Sequence, residues 1–190
     1  MTSDQTVEDK LYNIAQHCYY KGSIDPQLCK ESYDAVEPLF DQFQERTWNC
    51  ALRTSTAFNE NIINIVPLFV LKSQILKHIT TYMFQTKKFY DGYISNSWIN
   101  IYEKNFYQEM HTHEDPIDSY ICGVVYLTAD NSEIEFTDPL HTGHVYHKPE
   151  LGDIVIFEDN LHHRVVENNK DALRVSLAFN YVKKKAWEIV

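Results

Sequence analysis

From Ile94 onward the chain breaks into eight short β-prone runs separated by turn-forming residues, a rhythm that few folds accept. The runs cover residues 97–103, 108–113, 119–128, 133–136, 144–148, 153–157, 163–167 and 174–182. Asp130-Asn-Ser132, Leu151-Gly-Asp153 and Glu167-Asn-Asn-Lys-Asp171 supply turns between them. Side chains alternate across a strand, so Trp98, Asn100 and Tyr102 share one face and Ile99 and Ile101 the other. Likewise Arg174, Ser176 and Asn180 oppose Val175, Leu177 and Phe179. Each strand therefore offers one apolar face and one polar face that is expected to be buried. A barrel with a polar interior has something polar to hold.

Ahead of this region, residues 7–88 read as mostly helical. Apolar side chains recur at three and four in Val36, Leu39, Phe40 and Phe43, and again in Ile75, Ile79, Tyr82 and Met83. Residues 48–58 between them read as a strand or extended piece. Helices followed by eight strands predict an α+β, mainly β chain: a double-stranded β-helix, or jelly roll, over residues 96–182, with residues 1–95 as mostly helical support. A length of 190 residues suits one such domain.

Composition removes several function classes. A net charge of −10 argues against nucleic acid as a partner, since phosphate affinity needs clustered cations. The short run Lys183, Lys184 and Lys185 reads as a solvated patch. Cys18, Cys29, Cys50 and Cys122 lack the close pair spacing of a zinc or redox site, so reduced thiols are expected. The polar start MTSDQTVEDK is unlike a secretory signal, and the apolar stretch at 62–70 is broken by Asn64 and Pro67. The expectation is a cytoplasmic protein with no membrane partner; nothing in the sequence fixes its oligomeric state.

The residues that carry chemistry sit at strand ends. In His111-Thr-His113-Glu-Asp115 the period of two places His111, His113 and Asp115 on one side of the chain. About fifty residues on comes His163, and one strand later Arg174. Two ligands from one strand end and one from a distant strand make the facial triad that leaves iron open to substrate and oxygen. With nine histidines in the chain, any single one is more often a surface or core residue than a ligand. It is the combination with His163 and Arg174 that is hard to obtain by chance.

The stretch from Trp98 to Asn180 resembles the 2-oxoglutarate and Fe(II)-dependent oxygenase superfamily, in particular its phage and marine-bacterial members and, more distantly, the prolyl hydroxylases. The resemblance is carried by Trp98-Ile-Asn100-Ile-Tyr102, the His111 cluster, Cys122-Gly-Val-Val-Tyr126-Leu, Glu133-Ile-Glu-Phe136 with Asp138-Pro139, Leu151-Gly-Asp-Ile-Val-Ile-Phe157, His163, and Arg174-Val-Ser176-Leu-Ala-Phe-Asn180. It implies that His163 is the distal iron ligand and that His162, on the other face, is not. It also implies that Arg174, with Ser176, holds the far carboxylate of 2-oxoglutarate, as a planar guanidinium can through two charge-assisted hydrogen bonds. Asn100, Tyr102 and Tyr126 are further co-substrate candidates. The proximal pair stays open: His113 and Asp115 fit the superfamily's His-x-acid pattern, whereas the spacing from Tyr102 puts the first ligand at His111 and His113 in the carboxylate's place.

The resemblance implies a dioxygenase, a hydroxylase by preference, that uses Fe(II), 2-oxoglutarate and O2 on a peptidyl substrate (prolyl residues among them) or a small molecule. Two other classes fit parts of the pattern. A cupin-like metal enzyme needs only His111, His113 and His163 and no basic anchor at 174. A non-catalytic jelly-roll module would close a zinc site with those three and Asp115. His141, His144 and His147 read as a polar surface loop, with the substrate entrance as the alternative.

Overall fold

The computed structural model describes residues 9–14, 17–47, 50–114, 120–129, 132–138, 140 and 142–184. All eight expected strands are present: β5 (Gly92–Tyr102), β6 (Tyr107–His111), β7 (Tyr120–Tyr126), β8 (Ile134–Thr137), β9 (His144–His147), β10 (Asp153–Glu158), β11 (His162–Val165) and β12 (Arg174–Lys183). The first of them starts earlier than expected, because Gly92, Tyr93 and Ile94 extend the ladder with Lys183, Val182 and Tyr181.

The eight form two antiparallel layers. One carries the order β10-β7-β12-β5 and the other β6-β11-β8-β9, the alternation of a double-stranded β-helix. A further strand, β4 (Cys50–Thr54), stitches the layers together. Its Arg53 and Thr54 pair with Ile101 and Asn100 of β5, and its Cys50 and Ala51 with Gln108 and Tyr107 of β6.

The N-terminal part needs correction. The expectation of a mostly helical support over residues 1–95 misses β1 (Lys10–Ile14) and β2 (His17–Ser23), a hairpin that adds to the sheet through β2 and β10. Tyr12, Tyr19 and Tyr20 favour the pleated surface, and the pairing with β10 lies far away in sequence where local periodicity does not see it. The short strand β3 (Gln44–Arg46) pairs with β4 and is exposed throughout. The expected extended piece at 48–58 is found as β4; Trp48 and Asn49 lie outside the described residues.

Two α-helices lie among the described residues, α1 (Pro26–Val36) and α2 (Phe69–Thr86), with three short 3-10 turns beside them. The first begins where Asp25 accepts from the Gln27 amide and Pro26 presets the first turn. Leu71, Ile75, Ile79 and Tyr82 of the second face the larger sheet and are buried with Ile99, Ile101, Val175, Leu177 and Phe179. Burying each such side chain stabilises by roughly 1.5–3 kcal/mol. The apolar faces of β5 and β12 are thus sealed under helices, and their polar faces turn into the barrel. No helix among the described residues is long and apolar enough to cross a membrane.

Candidate metal and co-substrate site

Strand pairing brings the histidines together. Register sets His163 of β11 directly across from His111 of β6, and their ring centroids lie 4.2 Å apart. His113, just beyond β6, lies 5.1 Å from His163 and 5.2 Å from His111, centroid to centroid. One ligand atom from each of the three lies within 4.8 Å of the others. Asp115 lies outside the described residues; among those described, the cluster consists of His111, His113 and His163.

Each ring is oriented from behind. Nδ1 of His111 lies 2.8 Å from the Glu109 carbonyl, Nδ1 of His163 2.9 Å from the Leu161 carbonyl, and Nδ1 of His113 3.1 Å from the Asn180 side-chain oxygen. Oxygen acceptors at every Nδ1 favour the tautomer with the proton there and leave Nε2 with its lone pair. Burial also disfavours the cationic ring: it brings His111 down to about 4, lowers His113, and holds His163 well below the ordinary imidazole range, where the neighbouring histidines add to the effect. Neutral, Nε2-bare imidazoles are the form that binds a metal. Three of them converge on one point, and the donor set fits a ferrous ion. Phe157 and Phe136 pack against His163, at 4.6 and 6.2 Å between centroids, and keep that side dry.

Deeper in the barrel is Arg174, 1% exposed, with its guanidinium over the rings of Tyr102 (5.0 Å) and Tyr126 (5.2 Å). It donates to Ser132 at 3.1 Å and, at a long 3.5 Å, to the Tyr126 hydroxyl. Its Nε is buried with no acceptor, and among the described residues no carboxylate pairs with it. A buried cation lacking a counter-ion is costly, so this site suits a ligand that brings a carboxylate. Ser176 and Asn100 face each other across the β12–β5 ladder beside it, both buried. Arg174, Ser176, Asn100, Tyr102 and the three histidines line one cavity. Tyr126 lies behind it; burial pushes its hydroxyl up to about 12, against the pull of Arg174.

Two residues given no role from sequence belong here. Gln108 accepts from the Tyr102 hydroxyl at 2.8 Å and reaches Nε2 of His111 at 3.3 Å, linking the two halves of the cavity. Asn180 orients His113. Period-two alternation puts Asn180 on the face of Arg174 and Ser176, the signal by which it could have been found. Of the other histidines, His162 is half-buried and does not line the cavity. His144 bonds Glu135 at 2.6 Å and His147 is buried 3.2 Å from Asp153, so neither lines the cavity; His141 lies outside the described residues.

Residues 137–180, which include His163, Arg174 and Ser176, match the sequence model of a 2OG-Fe(II) oxygenase family. No curated protein matches the chain. Among solved structures, a prolyl hydroxylase from Trichoplax adhaerens in complex with a peptide fragment of the hypoxia inducible factor oxygen degradation domain superposes with a TM-score of 0.68 at 12% identity, covering 86% of this chain and 83% of that one. The viral collagen prolyl hydroxylase of Paramecium Bursaria Chlorella virus-1, in its 2OG complex, gives 0.61 at 16% over 87% and 96%. The α-ketoglutarate-dependent carbocyclase SnoK of nogalamycin biosynthesis gives 0.66 at 11% over 87% and 79%. These likenesses establish the double-stranded β-helix fold. The sequence match, over residues 137–180, is a likeness to a family of 2OG-Fe(II) oxygenases.

Proposed function

We propose that the chain is a dioxygenase that couples decarboxylation of 2-oxoglutarate to hydroxylation of a peptidyl or small-molecule substrate, with His111, His113 and His163 as the iron ligands. The observation that supports this best is the pairing of a three-imidazole cluster with a buried guanidinium that has no carboxylate partner among the described residues, both lining one cavity. A cupin-like metal site accounts for the first and leaves the second without purpose.

In this reading the Nδ1 contacts to Glu109, Leu161 and Asn180 hold the rings so that Nε2 of each faces the ion. Arg174, flanked by Tyr102 and Tyr126 and backed by Ser176, takes the far carboxylate of 2-oxoglutarate and so orients its keto-acid end toward the histidines. Asn100 and Tyr102 offer further polar contacts, and Phe136 and Phe157 exclude water from the iron side. When bound, iron and the keto acid supply the oxidising power, yielding succinate and carbon dioxide as O2 is consumed.

The test is succinate release from 2-oxoglutarate with Fe(II), for the native chain, His163→Ala and Arg174→Ala. Native turnover that both substitutions abolish supports the reading. Metal-dependent activity that ignores 2-oxoglutarate, or that survives Arg174→Ala, points to the cupin-like alternative.

A further inference from the structure

The chain has four arginines, and their partners differ in an informative way. Arg53 pairs with Glu103 at 2.9 Å and Arg164 with Glu135 at 2.5 Å. Arg174 and Arg46 have no carboxylate partner among the described residues, and both line cavities that meet His111. Arg174 lies on the inner side. Arg46, at the end of exposed β3, lies on the outer side, in a groove of about 390 Å³ walled by β3, β4, β5 and β6.

The groove's chemistry is uneven. Its inner end is Trp98, Asn100, Gln108 and His111, the residues it shares with the metal-side cavity. Its mouth holds one cation, Arg46, whose guanidinium donates to Thr56 at 3.3 Å, and one carboxylate, Glu109. Both line the groove together with Cys50. They are not within ion-pair distance. On the wall, Thr54 is 2% exposed and its hydroxyl is buried without a partner, a polar group awaiting a ligand. A charge of each sign at the mouth of a groove whose wall mixes polar groups with Leu52, Trp98 and Met110 matches a small dipolar molecule with a side chain better than a long blocked chain.

We infer that the substrate of this site is a zwitterionic small molecule of the amino-acid class, its carboxylate on Arg46 beside the Thr54 and Thr56 hydroxyls, its ammonium toward Glu109, and its side chain directed along Trp98 to the histidines. This rests on the oxygenase reading and narrows its substrate. Peptides with both ends blocked satisfy neither charge.

Cys50 provides a readout other than turnover. The full chain is loaded with Mn(II) and 2-oxoglutarate, and alkylation of Cys50 by iodoacetamide is followed by mass spectrometry in the presence of each of the twenty common free amino acids, their carboxamides and their N-acetyl derivatives. At least one free amino acid slows Cys50 labelling saturably, and its amide and N-acetyl forms protect about tenfold more weakly, the scale of one lost charge-assisted contact. Arg46→Gln weakens protection by the free acid to the level of the amide, and Glu109→Gln to that of the N-acetyl form. Equal protection by acid and amide overturns the inference, as does protection by a blocked peptide alone or by none of the probes. Binding of 2-oxoglutarate to the Mn(II)-loaded chain is measured alongside by calorimetry. If it binds and no amino acid protects, the substrate assignment alone fails; if it does not bind, the oxygenase reading fails with it.

Discussion

Arg174 is the residue on which the proposed co-substrate site turns. Its side chain is 1% exposed, touches two tyrosine rings and leaves Nε without an acceptor. Replacing it with Gln removes a buried, uncompensated charge, so folding stability is expected to hold or rise in denaturant unfolding. Affinity for 2-oxoglutarate in the Mn(II)-loaded chain is expected to fall by about 30-fold or more, roughly 2 kcal/mol or above, by calorimetry. Asn180 acts one step back, through His113 Nδ1 at 3.1 Å. Asn180→Ala should weaken metal affinity by about 10–100-fold, read by competition with a chelating dye, with Asn180→Asp retaining most of it because the acceptor oxygen survives. The sequence singled out Arg174, His111, His113 and His163 as candidates because histidines and an arginine on buried strand faces are chemically costly, and the fold sets all four around one cavity. Gln108 was not, since a glutamine in a strand carries no signal until Tyr102 and His111 are seen to meet on it.

Elements set how much of this could be foreseen. The strands β5 to β12 announce themselves by alternation and turns, and the inward face of β12 was assigned from period two alone. The hairpin β1–β2 escaped, because what makes it a strand pair is its partner β10 more than 130 residues away. Two consequences belong at this scale. Gly123 of β7 faces Phe179 of β12, and a Cβ there would come 2.2 Å from the ring. Gly123→Ala should therefore cost about 1–3 kcal/mol in urea unfolding. After β8, Asp138 gathers the following turn: it accepts from the Thr142 hydroxyl at 2.6 Å and from the Leu140, Thr142 and Gly143 amides. The Thr142 hydroxyl, then those amides, hold its carboxyl down to about 2. A depressed carboxylate contributes stability above its ordinary pKa of about 4 and loses it as pH falls through the folded value. The stability gap between the native chain and Asp138→Asn is expected to be constant above about pH 5 and to close between about pH 4 and pH 2.

At the scale of the whole molecule, one layer of strands is covered on its outer face by helices, and the site lies between its inner face and the second layer. That division explains why the polar faces of β5 and β12 survive burial: they look into a cavity lined by Arg174, Ser176, Asn100 and the histidines. It also explains why the ligand register could not be read from sequence alone. Spacing allowed His113 with Asp115 as readily as His111 with His113, and only the pairing of His111 with His163 across β6 and β11 brings the first histidine into the cluster. The measurement that bears most directly on this is ferrous ion stoichiometry, taken anaerobically by dialysis and metal analysis on the native chain, His111→Ala, His163→Ala and Asp115→Ala. The prediction is one iron per native chain, retained in Asp115→Ala and lost in both histidine variants. Iron retained by His111→Ala and lost by Asp115→Ala would contradict the three-histidine site.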